Sequence, residues 1–201
     1  MITYIIIGIT VLVSLLAFNN EKLMSSFMFN AYAIDKRKQY YRFISSGLIH
    51  ADIFHLFFNM YALYLFGGIV ENKLIDLFGV HGLWIYLLLY ISALVMSSTF
   101  SFYKHKENPS YNALGASGAV SAVLFASIMI YPTMKLMIMP IPIPISSYIL
   151  GPLYLVYSYY MGRNGRDNVG HDAHFFGAIW GIIFIVILWH DAIPNFIAQV
   201  F

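Results

Sequence analysis

The chain has 201 residues, 60% of them hydrophobic and only 10% charged, with a net charge of +2 and a mean hydropathy of +0.74. A soluble domain carries about 25% charge, so an ordinary soluble globule is excluded, and so small a net charge gives no ground for a nucleic-acid partner. There is no cysteine, which removes disulfides, thiolate metal sites and a cysteine nucleophile together.

Taken in order, six apolar runs approach the ~20 residues needed to cross a bilayer: 2–18, 53–75, 82–102, 116–132, 147–161 and 171–189. They predict an all-α polytopic membrane protein, a single domain over 1–201 with both ends on one side. The first run has neither the basic leader nor the small-residue cleavage site of a signal peptide, and is expected to be a retained span. The connection 19–50 mixes Lys22, Lys36, Arg37, Lys38 and Arg42 with Met24, Phe27, Phe29, Tyr40 and Tyr41. That mixture predicts a loop folded on itself at the membrane interface. A short polar link is expected over 71–76 and a polar loop over 104–112. The run Met139-Pro140-Ile141-Pro142-Ile143-Pro144 cannot be helical and should be extended. The fifth run is short and carries Gly151-Pro152, and the glycine-rich stretch 162–170 reads as a mobile lid.

The candidate chemistry gathers around Gly115-Ala116-Ser117-Gly118. A helix opening here points unpaired N–H groups and its positive dipole end at any negative charge developing beside Ser117. In the sixth run, His174, Gly177 and Gly181 share a helical face. In the fourth, Gly118, Ala122 and Ala126 recur every four residues, so the two stripes suit close helix packing. Such packing would set Ser117 and His174 at the same end of their helices, as a nucleophile and its general base. His55 and Asn59 are four apart on the second run and face the same way, as oxyanion donors on a neighbouring helix would. His50 is out of phase with them and is expected to satisfy backbone carbonyls of the preceding loop. Tyr41-Arg42 lies in that loop, where an arginine is ordinarily solvated.

Together, Gly-Ala-Ser-Gly, His-x4-His-x3-Asn and Ala-His-x2-Gly-x3-Gly resemble the rhomboid family of intramembrane serine proteases, through all six runs. The resemblance implies a six-helix bundle and a Ser117–His174 dyad without cofactor or metal. It implies cleavage of transmembrane protein substrates near their ends. The oxyanion would be held by Asn59, His55 and the Ser117 N–H, with His50, Arg42, Gly115, Gly118, Gly177 and Gly181 in supporting roles. Many members carry an aromatic residue four positions after the nucleophile, packed on the catalytic histidine. Here that position is Ser121, and the histidine must be oriented otherwise, by Ser121 itself or by Phe175. Asp172, two residues from His174, points to a different face, so a dyad is expected rather than a triad.

Two rival readings are a non-catalytic relative that only binds membrane segments, and a metal site built from His171, His174, His50 and His55. The first should lack the serine or the histidine. The second would not require Gly-Ala-Ser-Gly. Nine of the eleven Lys and Arg fall in the first, third and fifth connections, so a plain count puts those loops in the cytoplasm. The family resemblance implies the reverse, with cytoplasmic ends in a multi-pass protein of a prokaryotic inner membrane, if the charges of the first loop are neutralised locally.

Overall fold

In the computed structural model, which describes residues 1–138, 141–164 and 170–201, the chain is mostly helical. Helix α1 (Ile2–Phe18) is followed by the short helices α2 (Glu21–Phe27), α3 (Ala31–Arg37) and α4 (Arg42–Ser45) and a 3₁₀ turn, Ser46–Leu48. The long helices α5 (Ile53–Phe78) and α6 (His81–His105) come next, then α7 (Ser117–Ile130). A hairpin of β1 (Lys135–Ile138) and β2 (Ile141–Ser146) leads into α8 (Ser147–Asn164). The chain ends with α9 (His171–Leu188) and α10 (Ala192–Val200). Three helices, α5, α6 and α9, are long and apolar enough to cross a membrane, while α1 and α7 are apolar but shorter.

Helix α7 is the centre of the molecule. Eleven of its fourteen residues are buried, and it touches α5, α6, α8, α9 and α10. Its closest neighbour is α9, and the two small-residue stripes explain why. A Cβ added at Gly177 would strike the Gly118 carbonyl oxygen, and one added at Gly181 would strike that of Ala122. Backbone lies on backbone along this seam, as small-xxx-small packing allows.

Helix α1 packs on the other flank through Thr3, Ile6, Thr10, Ser14 and Ala17. The polar link expected over 71–76 is instead the body of α5. Glu71 is fully buried, and its carboxylate accepts the Ile2 N–H (2.6 Å), the Thr3 N–H (3.0 Å) and the Thr3 hydroxyl (2.7 Å). Those N–H groups are among the ones a helix leaves unpaired at its start, where the dipole also favours a negative charge. The charge in the sequence belongs to a cap for another helix.

The connection 19–50 folds on itself, as its composition predicts. Asn20 and Asn30 cap α2 and α3 through the Leu23 and Ala33 N–H groups, and Phe29, Ala31 and Ile34 form a small core with Phe43, Phe102 and Tyr111. The proline-spaced run is extended where described: β2 pairs antiparallel with β1, Lys135 opposite Ser146 and Leu136 opposite Ile145, while residues 139–140 lie outside the described residues. The lid expected over 162–170 falls largely on 165–169, also outside them. Helix α10 answers to no expectation from the sequence. It lies across the end of α7, where Asn195 and Gln199 both donate to the Ile130 carbonyl (3.1 and 3.0 Å).

Candidate active site

Ser117 is the first residue of α7 and is half-buried. The preceding residue Ala116 supplies no side-chain cap, and the first backbone bond runs from the Val120 N–H to the Ala116 carbonyl (3.0 Å). The Ser117 and Gly118 N–H groups therefore stand at the open, positive end of the helix.

The turn into this helix is held from two sides. Gly115 has φ +111°, a conformation suited to glycine, and its N–H donates to the Ser46 carbonyl (2.9 Å). A Cβ there would lie 2.7 Å from His55 Cε1 and 2.9 Å from Nε2, so the His55 ring rests on this glycine. Asp52 caps α5 by accepting the His55 N–H (2.8 Å), which fixes where His55 leaves its helix.

His50, fully buried, is the second brace. Its Nε2 accepts the Ala116 N–H (3.3 Å) and its Nδ1 meets the Ser14 hydroxyl (3.0 Å). That hydroxyl donates to the Leu48 carbonyl (2.9 Å). The chain of bonds fixes the tautomer: Nε2 must offer a lone pair, so Nδ1 carries the proton. This corrects the expectation that His50 bonds loop carbonyls directly; it reaches one through Ser14, because the nearer demand is a buried N–H of the turn before Ser117. Burial, followed by the neighbouring His55, holds the His50 pKa down at about 3.

His174 projects from the first turn of α9, one turn before the Gly177–Gly118 contact. The Ala173 carbonyl lies 3.4 Å from where a Gly118 Cβ would be, so the start of α9 meets the start of α7. Like Ser117, His174 is half-buried. The His171 ring stands edge-on to it at 6.0 Å. Ser117, His174, His55, His50, Gly115, Gly118 and Gly177 thus gather around one helix end, with Gly181 farther along the seam.

Asn59 is buried one turn along α5 from His55, and its Nδ2 donates to the His55 carbonyl (3.0 Å). The amide retains a second N–H. Arg42 stands apart in the first loop and is buried rather than solvated. It donates to Gln39 Oε1 (2.6 Å) and to the Met28 (2.6 Å) and Ser25 (3.0 Å) carbonyls, tying the loop together. Asp172 turns away from His174 to pair with Lys104 (3.0 Å).

One neighbour of His174 escaped the sequence reading. Tyr154 of α8 lies with its ring nearly parallel to the imidazole, 22° apart at a centroid distance of 6.5 Å. Ser147, Gly151 and Ser158 are the buried residues of α8, and Tyr154 falls on the same face by spacing, which is the signal that would have found it. Phe175 packs on Tyr159 and Phe176 instead. Among the described residues no group of three or more His, Asp or Glu is placed to hold a metal ion.

Apolar helices around a half-exposed serine at a helix start define an integral membrane protein with a candidate nucleophile inside it. Residues 37–191 match the Rhomboid domain, and the chain belongs to the rhomboid family. It is also 28% identical over 176 residues to RHOMBOID-like protein 12, mitochondrial, of Arabidopsis thaliana, an alignment covering 80% of this chain and 50% of that protein. The chain spans about half the length of that relative.

Proposed function

We propose that the protein is an intramembrane serine endopeptidase that cleaves transmembrane protein substrates through a Ser117–His174 dyad. The observation that carries the reading is the backbone-tight seam of α7 and α9, which joins the start of the helix bearing Ser117 to the turn bearing His174. In the reaction, His174 takes the Ser117 proton as the oxygen attacks the scissile carbonyl. The oxyanion is held by the Ser117 N–H with His55 and the free N–H of Asn59. Collapse breaks the C–N bond, His174 returns its proton to the leaving amine, and water hydrolyses the acyl-enzyme.

Helix length supports a site below the membrane surface. Fourteen residues of α7 rise about 21 Å, short of the ~30 Å hydrocarbon core, so a helix anchored at its far end by α10 starts within the membrane. The six-span, multi-pass arrangement belongs to the same proposal, with α1, α7 and α8 crossing beside α5, α6 and α9. Three of the seven basic residues of the first and third connections are engaged locally: Arg42 in the loop, Lys36 with Asp35 and Glu107, Lys104 with Asp172. This favours the orientation with the ends in the cytoplasm and the site opening outward, against the plain charge count.

Labelling by a serine-reactive fluorophosphonate tests the reading. The wild type is expected to label and to cleave a transmembrane substrate in proteoliposomes. Ser117→Ala is expected to do neither while remaining folded, since only the hydroxyl oxygen is removed. Labelling that survives Ser117→Ala would reject Ser117 as the nucleophile.

A further inference from the structure

In a dyad no carboxylate holds the histidine, and here the nearest in sequence, Asp172, is taken by Lys104. Helix α7 offers only the small Ser121 one turn after the nucleophile. The flat partner of the imidazole comes from α8: the Tyr154 ring lies nearly parallel to it. That ring is itself held by α7. Its body packs on Phe125, centroids 5.9 Å apart.

We propose that Tyr154 is the positioning residue of His174, so that the base is aligned only while α8 is seated against α7. The inference rests on the dyad reading above and extends it to a helix that carries no reacting group. A misplacement of about 1 Å in a reacting pair costs on the order of 10²-fold in rate, so a ring that limits the imidazole's tilt has kinetic weight. Helix α8 is also the most loosely held of the helices around the site. Only Ser147, Gly151 and Ser158 of its residues are buried, and Pro152 within it removes a backbone donor. Displacing α8 to admit a substrate segment carries Tyr154 away from His174. Access and alignment then exclude one another, and cleavage waits for α8 to return.

The test compares Tyr154→Phe, which keeps the ring, with Tyr154→Leu, which keeps apolar volume but loses the flat face. Two readouts are needed on folded, detergent-solubilised protein: the rate of fluorophosphonate labelling of Ser117, and kcat and KM for a transmembrane substrate. Tyr154→Leu is expected to slow labelling by about 10–100-fold and to lower kcat with KM unchanged, while Tyr154→Phe stays near wild type. Phe125→Leu, which removes the ring that Tyr154 packs on, should slow labelling by about fivefold, the scale of one aromatic pair; it carries the test if Tyr154→Leu does not fold. Wild-type labelling rates in these variants, with only thermal stability reduced, would make Tyr154 a packing residue and overturn the inference while leaving the dyad intact. A rise in KM alone would make it a substrate contact. A wild type that never labels would instead overturn the dyad, and this inference with it.

Discussion

Helices α9 and α8 both lean on α7, but they do so by different means. Where α9 crosses, glycines bring carbonyl groups into contact, and nothing along Gly118–Gly177 or Ala122–Gly181 has a rotamer to adjust. Where α8 crosses, Gly151 faces the tips of side chains, Ile128 Cδ1 at 3.2 Å and Phe125 Cε1 at 3.4 Å from an added Cβ. The first contact is rigid and fixes the distance between the helices that carry Ser117 and His174. The second has slack, and slack is what a helix needs if it is to yield to a substrate. On the proposed reading, chemistry lies on one side of α7 and access on the other.

The largest effect should follow from forcing the rigid seam apart. Gly177→Val places branched carbon against the Gly118 carbonyl, and no neighbouring side chain can give way. We expect loss of cleavage and of labelling, with thermal stability in detergent lowered by at least the ~1–3 kcal/mol typical of overpacking. Gly8→Ala, at a helix face with nothing within 4 Å of the new carbon, serves as the neutral control. Wild-type activity in Gly177→Val would mean that the seam does not set the spacing of Ser117 and His174.

Asn59→Ala is expected to slow turnover by about 10²-fold, the scale of losing one oxyanion donor at ~2.7–4 kcal/mol, and to do so in kcat. A change in KM alone would place Asn59 in binding. His50→Ala should act on stability: it strands the buried Ala116 N–H at a cost of about 1–3 kcal/mol. His50 also sets a pH dependence. The unfolded chain takes up its proton near the ordinary 6.5, whereas the folded chain resists protonation down to about 3. The folded state then binds fewer protons, so this stability is fully present above pH 6.5 and is lost progressively as the pH falls from there towards 3. Unfolding midpoints measured across that window should drop in the wild type and flatten in His50→Phe.

The rigid side was the more legible in the sequence, and the reason is physical. Small residues every four positions on two helices announce a close crossing without any knowledge of partners, and the bounds of α1 follow from hydrophobicity alone. What was not legible depended on a partner far along the chain. Glu71 reads as part of a polar link until the start of α1 is laid against it. His50 points at Ser14 and Ala116, groups 36 and 66 residues away, so its bonding direction is absent from local spacing. Tyr154 is one tyrosine among sixteen, and only the buried spacing of Ser147, Gly151 and Ser158 around it singles out its face. The docking of helix α10 has no local signal either, since its carbonyl partner at Ile130 lies 65 residues back.

The smallest effect sharpens the comparison most. Gly151→Ala makes the same kind of change on the slack side of α7 that Gly177→Val makes on the rigid side. The added methyl meets the end of the Ile128 side chain at 3.2 Å, so a shift of a few tenths of an ångström accommodates it. Against that small cost, alanine in a helix interior is favoured over glycine by about 0.5–1 kcal/mol. The two terms nearly cancel, and thermal stability should stay within about 0.5 kcal/mol of wild type, as for substitutions that meet no rigid feature. Labelling by a small soluble fluorophosphonate should be unchanged, because Tyr154 still reaches His174. Cleavage of a transmembrane substrate should fall only slightly, through a helix that leaves its seat less readily. A collapse of both activities in Gly151→Ala, as severe as in Gly177→Val, would show that α8 is held as rigidly as α9, and the separation of access from chemistry would fail.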